Sequence, residues 1–139
     1  MRIMAIDYGD AHTGIAISDP TGFLAGFTTV INAYRPEVVA EQVAALAKEH
    51  GVEELVLGHP INMDGTRGPR SEKAQAMKAL LEETTSLPVV LWDERRTTID
   101  AHQILMGSGK NAKKRKKVVD AVAASLILEG YLTYKKSHS

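Results

Sequence analysis

The chain has 139 residues, of which 44% are hydrophobic, 24% charged and 5% aromatic, a balance that suits one domain (1–139) and excludes fibrous and low-complexity classes. With 17 basic and 17 acidic residues the formal net charge is zero, so attraction to a polyanion must come from local clustering. Having no cysteine, the chain has no disulfides, thiolate metal sites or thiol nucleophiles. No apolar stretch approaches the length of a bilayer span, and the opening MRIMAID lacks the charged, apolar and small-residue order of a signal, so a cytoplasmic location and no membrane partner are expected.

Taken in chain order, RIMAID (Arg2 to Asp7) and TGIAISD (Thr13 to Asp19) read as two strands joined by a turn rich in Gly and Asp. AGFTTVI (Ala25 to Ile31) follows as a third, making a meander. Pro36 suits a first helical position, and Val39, Val43, Leu46 and Ala47 recur at helical spacing until Gly51 stops the segment. ELVLG (Glu54 to Gly58) is a short buried strand, and Pro69 opens a second helix with Ala74, Met77 and Leu81 on one stripe. PVVLWD (Pro88 to Asp93) is a fifth strand, after which Thr97 or Thr98 can cap a short helix through Met106. Val118 to Tyr134 forms the last helix, with Val119, Val122, Ala123, Leu126, Ile127 and Gly130 on its apolar stripe. The order βββαβαβαα predicts an α/β fold.

The acids fall at telling places on this map. Asp7 ends the first strand, Asp93 and Glu94 end the fifth, and Asp120 lies within about 20° of Ile127 and Tyr131, at the flank of the last helix's apolar stripe. Partly buried carboxylates are costly unless a cation accompanies them. Arg95 and Arg96 could serve as that cation through plain ion pairs, and Asp7 could simply cap its own turn. The five histidines (His12, His50, His59, His102 and His138) show no metal-ligand spacing. Acids converging without cysteine or histidine partners suit hard, oxygen-liganded Mg²⁺ or Mn²⁺, and two such ions about 4 Å apart drive phosphodiester hydrolysis. Because side chains alternate along a strand, only one of Asp93 and Glu94 should face the site, which alternation alone leaves open; Glu94 is favoured as that ligand, with Asp7 and Asp120, because the chain can already be turning there. KNAKKRKK places six of the 17 basic residues, Lys110, Lys113, Lys114, Arg115, Lys116 and Lys117, within eight positions. Such a run is either a solvated loop or a clamp on phosphates, hinged at Gly107 to Gly109.

Four ordered segments, AIDYGDAHTGIAISD, LGHPINMDGTRGPRS, DERRTTIDAHQIL and KKRKKVVDAVAASLILEGYL, resemble the YqgF/RuvX family over essentially the whole chain. These are Holliday-junction-resolvase-like nucleases also proposed to mature the 5′ end of pre-16S ribosomal RNA. The resemblance implies an RNase H-like fold with a five-stranded mixed sheet flanked by helices. It further implies catalytic acids at Asp7, Asp93, Glu94 and Asp120, with nucleic acid as the partner: structured RNA, branched DNA or a pre-ribosomal particle. Arg95 and Arg96 then neutralise charge near the scissile bond. The family carries Arg-Ile-Gly where this chain has His12, Thr13 and Gly14, so a titratable group replaces a permanent cation at a nucleic-acid contact. His59 replaces a more usual leucine.

Other readings fit less well. Gly9 and Gly14 have Walker-like spacing, but no Lys-Ser/Thr follows. An ATP site of the actin and sugar-kinase type begins with a similar strand and Asp-x-Gly turn, yet needs two domains to enclose the nucleotide. A non-catalytic RNA-binding module for ribosome assembly, with structural acids, is the remaining alternative. Either a monomer or a homodimer is compatible with these features.

Overall fold

The computed structural model describes residues 1–21, 25–59, 68–93 and 112–137, with backbone alone over 112–120. Strands β1 (Arg2–Asp7), β2 (His12–Ser18) and β3 (Ala25–Asn32) form the meander. Helix α1 (Pro36–His50) leads to β4 (Val52–His59), α2 (Pro69–Thr85) leads to β5 (Val89–Asp93), and α3 (Ala112–Ser137) follows. The sheet order is β3-β2-β1-β4-β5. β1 pairs antiparallel with β2, bringing Asp7 opposite Gly14, and parallel with β4, bringing Ile6 opposite Leu57. β5 extends the parallel part, with His59 opposite Asp93. The fold class read from the sequence therefore holds.

The pattern of burial explains the layers. β1 and β2 are buried at nearly every position because helices cover both faces of the sheet. Met4, Ile6, Ile15, Ile17, Leu55 and Leu57 pack against Val39 and Val43 of α1 and Met77 and Leu81 of α2. The opposite face, Ile3, Ala5, Ala16, Val56 and Trp92, is covered by Ala124, Ile127, Leu128, Tyr131 and Leu132 of α3. Those five follow the i, i+3, i+4, i+7, i+8 rhythm of an amphipathic helix. Trp92 meets Tyr131 edge to face at 5.8 Å, and Lys135 lies over the Tyr131 ring at 5.5 Å while pairing with Glu54 at 3.1 Å.

Two turns depend on backbone that only certain residues provide. Gly51 closes α1 in the left-handed region at φ 67°, its amide donating to the carbonyls of the last turn. At Gly9 a Cβ would collide with the carbonyl oxygen of His12, so the tight β1–β2 turn after Asp7 requires glycine.

Some boundaries differ from those the sequence suggests. β4 starts at Val52 and runs through His59, because the chain enters the sheet immediately after Gly51 and the alternation Leu55, Leu57, His59 continues past Gly58. More consequentially, α3 begins at Ala112 rather than Val118, so Lys113 to Lys117 are helical and not part of a flexible clamp. Alanine, lysine and arginine are strong helix formers, and solvated charge is no obstacle to a helix. The short helix expected between Thr97 and Met106 and the Gly107 to Gly109 hinge lie outside the described residues.

Candidate active site

Because β1, β4 and β5 run parallel, their C-terminal ends share one edge of the sheet, where β2 begins and β3 ends. Across that edge stand Asn32, His12, Asp7, His59 and Asp93. Ligand sites in open α/β sheets gather outside such strand ends, where backbone pairing fixes position but leaves side chains free to face outward.

Strand alternation sorts these residues by face. Ile3 and Ala5 pack under α3, so Asp7, in step with them, belongs to the α3 face. It is half-buried, opposite a residue with no side chain. Val89 and Leu91 pack on the α1/α2 side, so the half-buried Asp93 belongs there, on the face opposite Asp7. Alternation thus assigns to opposite faces two acids that the sequence places at strand ends.

Helix α3 brings its own contribution. Its C-terminal end lies at the start of the strands, where Lys135 reaches Glu54 and Met1. Asp120 is fifteen residues earlier on the helix, about 22 Å back along its axis. Ile3 to Asp7 spans about 13 Å of β1, so the helix backbone at Asp120 reaches the Asp7 end of the sheet. Glu94, Arg95, Arg96 and Lys110 lie outside the described residues, and of Asp120 and Lys113, Lys114, Arg115, Lys116 and Lys117 only the backbone is described. Among the described residues no three His, Cys, Asp or Glu side chains form a cluster able to hold a metal.

Two histidines at this edge have defined roles in the structure. His12, at the start of β2, uses Nδ1 to donate to Asn32 Oδ1 at 2.6 Å. His59 points the other way, where its Nε2 and the Ser71 hydroxyl share a buried hydrogen bond of 2.6 Å. Gln75 Nε2 donates to the same Ser71 oxygen at 3.4 Å. This pair ties the end of β4 to the first turn of α2. Periodicity could have pointed to His59, since it continues the alternation of Leu55 and Leu57, but Ser71 carries no sequence signal of a partner on another element. Nearby, Lys73 of α2 pairs with Asp10 of the β1–β2 turn at 3.0 Å. Burial pushes the Tyr8 phenol up from its ordinary range, with Lys73 partly opposing.

The meander, the parallel strands on one side of it, and an acid at the end of β1 facing the last helix define an RNase H-like architecture. The same fold is seen in Thermus thermophilus RuvC in complex with a Holliday junction substrate, at TM-score 0.64 and 14% identity over 100% of this chain and 98% of that one. The large terminase nuclease of phage G20c shares it at TM-score 0.58 and 11% identity, covering 94% and 81% of the two chains. The family described as RuvX, Holliday junction resolvase, matches residues 1–134, and the chain belongs to that family. It is 45% identical over 135 residues to a Halothermothrix orenii protein, covering 97% of this chain and 96% of the relative. A Bacillus subtilis relative is 43% identical over 134 residues, covering 95% and 97%. Both relatives bear the provisional name pre-16S rRNA nuclease.

Proposed function

We propose that the protein is a divalent-metal-dependent nuclease hydrolysing phosphodiester bonds in the 5′-end processing of pre-16S ribosomal RNA. The observation that carries this reading is the half-buried Asp7 at the end of β1, on the face crossed by the helix that bears Asp120. Family membership and the relatives' names support the reaction class and the substrate.

Asp7, Asp120 and Glu94 would hold hard divalent ions, since their donors are all carboxylate oxygens, the set Mg²⁺ and Mn²⁺ prefer. When bound, such ions supply Lewis acidity and an acidified water for in-line hydrolysis. The protein contributes rigidity: Asp7 is fixed by ladders on both sides of β1 and cannot drift away from a phosphate placed at the edge. Asp93, on the other face, is left as a neighbour of His59 rather than a ligand.

The start of α3 supplies a second element. Five cations, Lys113 to Lys117, occupy the first turns of a helix with no acid in its first turn, where the macrodipole already presents positive charge. That arrangement lowers helix stability in isolation and is relieved by a polyanion. With Lys110, Arg95, Arg96 and His12, these residues would hold the phosphate backbone while the acids perform hydrolysis.

Purified protein incubated with Mg²⁺ or Mn²⁺ and matched single-stranded RNA, structured pre-16S RNA and four-way-junction DNA tests the reading. Metal-dependent cleavage favouring the structured RNA is expected. Preference for the junction assigns the site to DNA resolution, and binding without turnover assigns the acids a structural role.

A further inference from the structure

Beside the turn that follows Asp7, between that turn and α2, lies a cavity of about 260 Å³. Tyr8 and Tyr34 form its walls, Ala76, Met77 and Leu80 its floor, and the Asp10–Lys73 pair its rim. An adjoining cleft shares Tyr8, Asp10 and Lys73 and continues past Gly9 to Gly58 and Arg70, at the strand-end edge of the sheet. Lys73 and Arg70 belong to α2, Tyr34 precedes the Arg35 N-cap of α1, and Tyr34 is 80% exposed despite its apolar ring.

We propose that this cavity binds one unstacked nucleobase of a single-stranded RNA segment that continues from the scissile bond over the β1–β2 turn, an inference that rests on the nuclease reading above. An exposed tyrosine beside an apolar floor offers a base the stacking surface it loses on leaving a helix, and such stacking tolerates any base. Lys73, shared by cavity and cleft, and Arg70, in the cleft alone, are placed for phosphates along the strand that carries that base. The Asp10 carboxylate accepts hydrogen bonds only, so it suits the N–H edges of an unpaired base. A duplex has no such base to give, because its faces are stacked and its edges paired. The cavity opens on the α1/α2 side of the sheet and Asp7 belongs to the α3 side, so a strand bound at both passes over the β1–β2 turn, which the cleft reaches at Gly9, and the occupant lies some nucleotides from the scissile bond.

The test measures binding in EDTA, with Asp7→Asn, so that cleavage plays no part and failure of the nuclease reading remains a separate result. The probe is a six-nucleotide single-stranded RNA carrying 2-aminopurine, compared with a blunt-ended, fully paired two-strand RNA duplex. Tyr34→Ala should weaken oligonucleotide binding about tenfold and leave duplex binding unchanged, while Tyr34→Phe retains it. Ala76→Trp, at an exposed helix position, should fill the cavity and give the same selective loss with the fold intact. Unchanged oligonucleotide affinity in either Tyr34→Ala or Ala76→Trp, or an equal loss on the duplex, overturns the proposal. Tighter binding of the same sequence as DNA overturns its assignment to RNA.

Discussion

At the scale of single residues, the acids at the strand ends differ in what they can do, and the difference comes from parity along a strand. Asp7 shares the α3 face with Ile3 and Ala5, whereas Asp93 shares the α1/α2 face with Val89 and Leu91. Asp93→Asn should therefore keep most of the cleavage rate, while Glu94→Gln lowers kcat by at least about 100-fold, as expected for a direct metal ligand. Equal losses in single-turnover assays would remove the distinction between them. His59 and Ser71 give a stability test of a different kind. His59→Ala removes the buried imidazole partner of the Ser71 hydroxyl and should cost about 1–3 kcal/mol in urea unfolding, whereas His59→Leu combined with Ser71→Ala should recover most of that loss. Strand-end acids were visible in the sequence because each closes an apolar run. The Ser71 partnership and the Tyr34 wall were not, since each depends on elements that meet only in the folded molecule.

At the scale of elements, the meander and the first two helices were legible because apolar periodicity, Pro36, Pro69 and Gly51 mark them directly. The start of α3 was not: a run of cations reads as a loop by charge and as a helix by propensity, and the backbone follows propensity. Placing Lys113, Lys114, Arg115 and Lys116 on the helix yields two effects of opposite sign. Replacing all four by alanine should stabilise the protein against heat, since each cation near the helix start costs about 0.3–1 kcal/mol. The same variant should bind RNA more weakly for all sequences alike, with a shallower dependence of log affinity on log salt. A variant that gains no stability and binds as before at low and high salt would leave the basic run outside the mechanism.

At the scale of the whole molecule, α3 closes one face of the sheet through Tyr131, and this makes stability depend on alkaline pH. Burial, followed by a hydrogen bond to Glu54, pushes the Tyr131 phenol well above its ordinary range. A phenol with a raised folded-state pKa contributes fully below the unfolded value of about 10 and loses that contribution as pH climbs beyond it. The melting temperature of the wild type should therefore fall more steeply above about pH 10 than that of Tyr131→Phe, with parallel curves below. Among the described residues, no helix is long and apolar enough to cross a membrane. On the proposed reading, the fold holds Asp7 and the Asp120 segment of α3 at one end of a rigid sheet. Cleavage of a pre-16S RNA spanning the mature 5′ end, by wild type and Asp7→Asn in Mn²⁺, tests that most directly. The account predicts a metal-dependent cut near that end by the wild type, and undiminished binding without cleavage by the variant. Equal cleavage by the two proteins, or none by either with saturating metal, would contradict it.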